Sequence, residues 1–203
     1  MFLSYENHAK ISSVILAFYG YIAIFELRTV MSAKNTINSF GSVAKYFHWT
    51  IAILIICMLI FGFFLEDFTG ATQEVAYNAH KTMGIIILTL VILRLGWRWF
   101  NIQPGYSATL PAAYKLFVRL AHYAIYFVII AMPISGWVMA TAAGKIPHFL
   151  GWFYFPMPGI SLNESLAGQA FQLHNTLAII LIVLLSLHVA AALFHHFILG
   201  DNV

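Results

Sequence analysis

The 203-residue chain is 62% hydrophobic and only 8% charged, which lies far outside the range of soluble domains and is typical of a protein that crosses a membrane several times. The formal net charge of +3 says little about partners, and no nucleic-acid partner is expected. The single cysteine, Cys57, excludes an intramolecular disulfide, an iron–sulfur cluster held by four thiolates and a cysteine-rich zinc site.

Residues 1–40 form an N-terminal extension whose role the sequence leaves open. Residues 11–25 are an apolar run of borderline length for a membrane span. A basic residue precedes the run, as in a signal peptide, but Glu26 and Arg28 follow it where a small-residue cleavage site belongs. Three interpretations remain: an extra transmembrane helix, an interfacial helix, or a translated stretch upstream of a true start at Met31.

Residues 41–203 predict an all-α integral membrane domain, a bundle of four helices that are each long and apolar enough to span a bilayer. Their expected bounds are about 43–65, 79–100, 114–142 and 171–199. The third helix contains Pro133, which a membrane helix tolerates and which predicts a kink. The connection over 143–170 is rich in aromatic residues and prolines, and we expect it to form a lid at the level of the lipid headgroups.

The distribution of basic residues predicts the orientation of the four-helix unit. Six lie on one predicted side, namely Lys34, Lys45, Arg94, Arg98, Lys115 and Arg119. Only Lys81 and Lys145 lie on the other side, which also carries four acidic residues. By the positive-inside rule, both ends of the unit are cytoplasmic in a bacterial inner membrane.

Five histidines fall at two depths within the predicted helices. The outer level holds His80 and His174, and the inner level holds His48, His122 and His188. On the last helix, the fourteen-residue spacing of His174 and His188 places them about 21 Å apart and within about 40° of one face. Each level therefore holds imidazoles from different helices.

Pairs of imidazoles in an apolar bundle indicate bis-histidine ligation of haem. Small residues beside the histidines, Gly84 and Ala190 to Ala192, leave room for a flat macrocycle. The chain has no Cys-x-x-Cys-His motif, so the haem is expected to be non-covalent, of b type. Four cations either pair with haem propionates or anchor helix ends: Lys45, Arg94, Arg98 and Arg119. The main rival is a histidine-lined metal carrier, which the lack of carboxylates inside the predicted spans disfavours.

Five segments in order resemble the prokaryotic cytochrome b561 family over about residues 40–202. They are YFHW (46–49), AHKTMG (79–84), LAHYAIYFVIIAMPISGWVM (120–139), LHNTLA (173–178) and LHVAAALFHHFILGDN (187–202). The resemblance implies a four-helix, inner-membrane cytochrome with two haems b. It implies that His48 and His188 ligate a cytoplasmic-side haem, that His80 and His174 ligate a periplasmic-side haem, and that His122 has no firm ligand role.

The resemblance also implies a function in electron transfer. Family members exchange electrons with the quinone pool, so ubiquinone is the expected substrate, and a superoxide:quinone oxidoreductase activity is known within the family. The expected partners are lipid, quinone and either superoxide or a redox protein. The alternative is a cytochrome b membrane anchor of a hydrogenase or dehydrogenase. His148, in the predicted lid, faces either an outer substrate or water, and His195 and His196 are expected to be interfacial.

Overall fold

The computed structural model of the chain describes residues 32–105, 111–149 and 151–200. The apolar run 11–25 and the alternative start at Met31 lie outside these residues, so the interpretations of the N-terminal extension stay predictions.

Four long helices dominate the described part of the chain, and the prediction of an all-α membrane bundle is confirmed. They are α1 (Ser42–Phe63), α2 (Gly70–Trp99), α3 (Ala112–Ala142) and α4 (Glu164–Phe194). A 3-10 turn, Leu65–Asp67, follows α1, and a π-helical turn, His195–Leu199, continues α4. All four helices are long and apolar enough to cross a membrane, and α3 runs through Pro133.

The helices expose apolar side chains, as expected for a protein dissolved in hydrocarbon. In α1, Ile51 and Ile55 are the buried residues, whereas Ile53, Ile60 and Phe63 are exposed. A helix satisfies its backbone hydrogen bonds within its own segment, so it can present an apolar surface to lipid without leaving polar groups unpaired.

Two helices begin earlier than the hydropathy of the sequence predicts. α2 begins at Gly70 and not near residue 79, and α4 begins at Glu164 and not near residue 171. Hydropathy marks the part of a helix that crosses the hydrocarbon, and a helix can continue beyond it. The start of α4 is capped. The side chain of Asn163 accepts a hydrogen bond from the backbone N–H of Leu166 at 2.9 Å, the usual N-cap contact.

The connection between α3 and α4 contains a short antiparallel hairpin, β1 (His148–Phe149) paired with β2 (Phe153–Tyr154). Gly151 adopts a φ of 75° in its turn, a conformation that glycine takes without steric cost. Trp137 of α3 fixes the chain beyond β2, because its indole N–H donates to the main-chain oxygen of Phe155 at 2.6 Å.

The chain divides into two compact units. One contains the turn before α1 together with residues 97–105. There Asn35 accepts a hydrogen bond from the backbone N–H of Gly41 at 2.9 Å and donates one to the main-chain oxygen of Ile102 at 2.8 Å. The second unit comprises residues 48–96 and 106–203 and contains all five histidines of the two predicted levels.

Candidate cofactor sites

The structure brings His80 of α2 and His174 of α4 together. Their ring centres lie 6.2 Å apart, and the ring planes meet at 73°. Both rings line one cavity, whose other walls are apolar side chains from all four helices and one glycine: Ile55, Met58, Leu59, Gly84, Ile87, Ile129, Met132, Pro133 and Leu181. The outer level is therefore a pair of imidazoles in a largely apolar chamber.

Hydrogen bonding fixes the tautomer of His174. Its Nδ1 lies 2.9 Å from the main-chain oxygen of Met132 and 3.3 Å from the hydroxyl of Ser135. A carbonyl oxygen only accepts hydrogen bonds, so Nδ1 carries the proton and Nε2 carries a lone pair. This is the arrangement in which protein histidines usually bind a metal, with the second nitrogen held by a carbonyl.

Gly136 makes room for the ring of His174, whereas Gly62 lies at an ordinary contact distance from the ring of His80. A Cβ at Gly136 of α3 would lie 3.0 Å from Cε1 of His174, and a Cβ at Gly62 of α1 would lie 3.5 Å from Cε1 of His80. Contacts near 3.0 Å are tighter than ordinary van der Waals packing, so a side chain at Gly136 would displace the imidazole. Gly136 thus sets how closely α3 approaches α4 at this level.

His80 carries an unsatisfied polar atom. Its Nδ1 is buried and has no hydrogen-bond partner among the described residues. A buried polar group left unpaired costs about 1–3 kcal/mol, so its persistence inside an apolar chamber calls for an explanation. A metal ion bonded to this nitrogen would satisfy it.

The inner level holds three imidazoles. The ring centres of His48 and His188 lie 6.3 Å apart, and those of His122 and His188 lie 5.4 Å apart. Nδ1 of His122 donates to the main-chain oxygen of Val118 at 2.7 Å. The depth assignment from the sequence therefore agrees with the side-chain contacts at both levels.

The separations of the two predicted pairs fit a metal held between opposed rings. A metal–imidazole bond of about 2.0–2.1 Å, with the bonded nitrogen about 1.1 Å from its ring centre, places two opposed ring centres about 6.3 Å apart. The predicted pairs lie at 6.2 Å and 6.3 Å. The 5.4 Å between His122 and His188 is too short for this arrangement.

The donor set also fits haem. In residues 32–105, 111–149 and 151–200, no three His, Cys, Asp or Glu side chains converge on one point where a bare metal ion could bind. The two opposed nitrogens of each predicted pair are too few for such an ion, whereas a porphyrin supplies four further donors. The residues present therefore fit haem at both levels.

One cation approaches the inner rings. Arg94 of α2 lies close enough to His48 and His188 to act on both electrostatically, and its guanidinium sits 5.7 Å from the ring centre of Tyr126. Two of the other cations predicted to pair with propionates, Lys45 and Arg119, are exposed. Arg94 is accordingly well placed to balance negative charge beside the inner pair.

The hairpin is fastened to α2 next to the outer pair. The side chain of Asn78 donates to the main-chain oxygen of His148 at 2.9 Å and accepts from its backbone N–H at 3.1 Å. Thr82 donates to the same oxygen at 3.1 Å. The sequence analysis missed Asn78, although its position two residues before His80 was a signal that it lies at the rim of this site.

The inner end of α4 corrects one expectation. His195 is only 7% exposed, whereas His196 is exposed as expected of an interfacial residue. The hydroxyl of Tyr114 is hydrogen-bonded to Nε2 of His195. The contact with Tyr114 of α3 therefore buries His195 in the bundle. No hydrophobic periodicity in the sequence distinguishes His195 from His196.

A four-helix membrane bundle that holds paired imidazoles at two depths defines a class of protein that binds redox cofactors between its helices. The family model described as prokaryotic cytochrome b561 matches residues 39–203. The chain belongs to the prokaryotic cytochrome b561 family, and the resemblance predicted from the sequence motifs is confirmed.

Three curated proteins illustrate the relationship. Cytochrome b561 homolog 2 of Escherichia coli (strain K12) is 32% identical over 174 residues, which cover 85% of this chain and 92% of that protein. Cytochrome b561 homolog 1 of the same organism is 28% identical over 169 residues, which cover 81% and 94%. The probable superoxide oxidase CybB of Yersinia pestis is 25% identical over 162 residues, which cover 76% and 87%.

Family membership makes the chain a membrane electron-transfer protein that binds haem b. The four spans make it a multi-pass protein of the prokaryotic inner membrane. These coarser predictions from the sequence are confirmed.

Proposed function

We propose that the protein holds two haems b, one between His80 and His174 and one between His48 and His188, and transfers electrons across the membrane between a quinone and a donor at the periplasmic face. The observation that carries the proposal is the pair of ring separations, 6.2 Å and 6.3 Å, at two depths of one bundle. Ubiquinone is the proposed quinone.

Two cofactor levels suit transfer through the bilayer. His174 and His188 are fourteen residues apart on α4, which corresponds to about 21 Å along the axis. Chemistry confined to one membrane surface needs one cofactor. An electron that must cross a hydrocarbon core of about 30 Å needs a second cofactor along its path.

In this proposal, the residues of the chain hold the haems, orient the histidine ligands and keep water away from the outer site. Bound haem supplies the one-electron redox chemistry. The main-chain oxygen of Met132 keeps the proton of His174 on Nδ1. The lone pair of Nε2 is then available to bind a metal. The apolar walls of the outer chamber exclude water. At the inner level, the charge of Arg94 would stabilise the propionates of a haem held by His48 and His188.

The proposed orientation places the outer level at the periplasmic face, because six basic residues lie on the predicted inner side and two on the outer side. At the outer side, the ammonium group of Lys81 donates to the main-chain oxygen of Lys145 at 2.9 Å. This contact brings two cations together near the hairpin, although Glu74 lies close enough to Lys81 to offset part of their charge.

The proposed donor is superoxide, a small anion. The two lysines and the relative named as a probable superoxide oxidase support this choice. The balanced reaction is 2 O2•− + Q + 2 H+ → 2 O2 + QH2, in which two superoxide ions are oxidised and one quinone is reduced.

The test uses the purified, haem-loaded full chain in liposomes that contain ubiquinone. A superoxide pulse should reduce the haem bands rapidly, and ubiquinol should then form in a ratio of one to two superoxide ions. Added superoxide dismutase should abolish both signals. A variant His174→Ala, which lacks an outer ligand, should lose the superoxide response.

Other results would support the rival functions. Slow reduction by superoxide, combined with co-purification of a large redox subunit, would support a membrane anchor; the exposed aromatic side chains of Trp152 and Phe153 in the hairpin would then be its contact surface. Uptake of metal ions by a protein without haem would support a carrier and contradict both electron-transfer functions.

A further inference from the structure

Met132, Ser135 and Gly136 of α3 form one surface against the ring of His174. The main-chain oxygen of Met132 lies 2.9 Å from Nδ1 of this ring, and the hydroxyl of Ser135 lies 3.3 Å from it. A Cβ at Gly136 would lie 3.1 Å from the same nitrogen. Residues spaced by three and four share one helix face, so a single face of α3 surrounds Nδ1 of His174.

The hydroxyl of Ser135 is bonded to the same oxygen as the imidazole. It donates to the main-chain oxygen of Met132 at 2.6 Å, so this one oxygen accepts a hydrogen bond from Ser135 and another from His174. Ser135 is only 4% exposed. Hydrogen bonds in such buried surroundings are electrostatically stronger than in water and polarise one another, so each of the two bonds affects the other.

The second donor weakens the pull of the carbonyl on the imidazole proton. An Nδ1–H group bonded to a carbonyl oxygen makes the other ring nitrogen more basic. Because the Ser135 hydroxyl draws electron density from the same oxygen, it reduces this effect and leaves Nε2 of His174 less basic.

An opposite effect, in which Oγ of Ser135 itself accepts from Nδ1 of His174, is the weaker of the two. The distance between these atoms is 3.3 Å, which lies beyond the usual N–H···O range of about 2.7–3.2 Å. The bond from Ser135 to Met132, at 2.6 Å, is short. The net influence of the hydroxyl is therefore to weaken the imidazole as a donor.

We propose that Ser135 is a positioning residue of the outer site, which weakens His174 as an iron ligand through the main-chain oxygen of Met132 and so raises the reduction potential of the outer haem. The inference rests on the proposed function, because that function assigns His174 as a ligand. A less basic axial ligand stabilises ferric iron less, and hydrogen bonding around the ligands is one of the means by which proteins set haem potentials.

The step that Ser135 influences is a one-electron transfer. The periplasmic donor loses one electron, the ferric iron of the outer haem gains it, and no proton moves. A higher outer potential favours this uptake and holds a larger share of a single electron at the outer level. The contacts of Ser135 are with Met132 and His174, so the inner potential stays unaffected.

The test compares Ser135→Ala with Ser135→Thr in the haem-loaded full chain. Ser135→Ala removes the hydroxyl. Ser135→Thr keeps it, because a threonine hydroxyl in a helix also bonds the carbonyl three or four residues earlier. Ser135 lines a groove between α3 and α4 together with Ala170 and Leu173, which leaves room for the added methyl group.

Thr176→Val is the matched control. Thr176 follows His174 by two residues on α4, and its hydroxyl donates to the main-chain oxygen of Gln172 at 2.8 Å. The substitution therefore removes a bond of the same kind, at the same depth, from a carbonyl other than that of Met132.

Midpoint potentials are measured by redox titration of the haem absorbance bands, and the outer band is the one that His174→Ala removes. Ser135→Ala should lower the outer potential by about three- to tenfold in the reduction equilibrium constant, or about 28–59 mV for one electron. The low-spin EPR signal of the oxidised outer haem should shift as well, since it reports the donor strength of the axial ligands. Ser135→Thr and Thr176→Val should keep wild-type potentials, and all three variants should keep two haems.

An unchanged or raised outer potential in Ser135→Ala would overturn the inference. Equal shifts in Ser135→Ala and Ser135→Thr would also overturn it, because packing and not the hydroxyl would then set the potential. Loss of haem from Ser135→Ala would do the same and would show a structural role. Retention of both haems by His174→Ala would instead contradict the proposed ligation on which the inference rests.

Discussion

Nδ1 of His174 donates a hydrogen bond to the main-chain oxygen of Met132 at 2.9 Å and so joins α4 to α3 beside the outer imidazole pair. The acceptor is a backbone atom, so no substitution at residue 132 removes it. The backbone position of α3 therefore determines the tautomer of His174. Residues that set how closely α3 packs against α4 also set the orientation of this imidazole.

The first prediction concerns ligation. His174→Ala and His80→Ala should each remove one haem and retain the other, and His188→Ala and His48→Ala should do the same at the inner level. The reason is that, in the proposed arrangement, each ring supplies one of only two protein ligands to its iron. A pyridine haemochrome assay should fall from two haems per chain to one, and the retained band in the reduced spectrum should differ between the two levels.

His122→Ala is the control for the inner level, since its ring is too close to His188 to oppose it across a metal. This variant should keep both haems. Loss of the inner haem in His122→Ala, with retention in His48→Ala, would show that the inner ligands are wrongly assigned.

The second prediction tests the close approach of α3 to His174. Gly136→Ala would place a methyl group 3.0 Å from Cε1 of that ring and should turn the imidazole away from its position. Changes to groups that orient a metal ligand typically cost about 10–100-fold in metal affinity. A haem titration of the apoprotein should therefore show weakened binding at the outer level alone.

Gly168→Ala is the matched control, because Gly168 lies in α4 with nothing within 4 Å of its added Cβ. This variant should bind two haems normally. Normal haem binding by Gly136→Ala would mean that the helix has room to shift and that the glycine does not control the site.

The third prediction concerns the attachment of the hairpin. Asn78→Ala removes two hydrogen bonds to the backbone of His148, each worth about 0.5–1.5 kcal/mol, and a longer contact with its ring. Amide exchange at His148 should accelerate by roughly tenfold or more, as measured by hydrogen–deuterium exchange. Thr82→Val removes one bond to the same residue and should have a smaller effect. Equal protection in both variants and the wild type would show that the hairpin is held by other contacts.

The fourth prediction concerns the N-terminal extension. A chain that begins at Met31 should insert in the membrane, bind two haems and transfer electrons like the full chain, because residues 1–30 supply none of the proposed ligands. Haem counting and the liposome assay check this outcome. Loss of haem from the shortened chain would identify residues 11–25 as a structural helix of the bundle.

The sequence predicted the depth of each histidine because helix spacing and membrane thickness are both regular. The fourteen residues between His174 and His188 separate two levels whatever the packing, and the contacts of His80 and His48 follow from the order of the helices. The same regularity predicted four spans and located Pro133 inside the third.

Features set by local capping and by packing could not be predicted in this way. Polar residues from Gly70 and from Glu164 belong to helices although they are too hydrophilic to cross lipid. The hydrogen bonds of Asn78 to the hairpin and the burial of His195 depend on which surfaces meet. Hydropathy treats His195 and His196 alike, and only the contact with Tyr114 separates them.

The early starts of α2 and α4 set how deeply the outer imidazole pair lies below those helix ends. His80 lies ten residues from the first residue of α2, and His174 ten residues from the first residue of α4, so both rings are sunk about 15 Å below those helix ends. A folded redox protein resting on the rim would have to tunnel an electron through that depth of protein. In the proposed function, this depth favours a small donor such as superoxide over a folded redox protein.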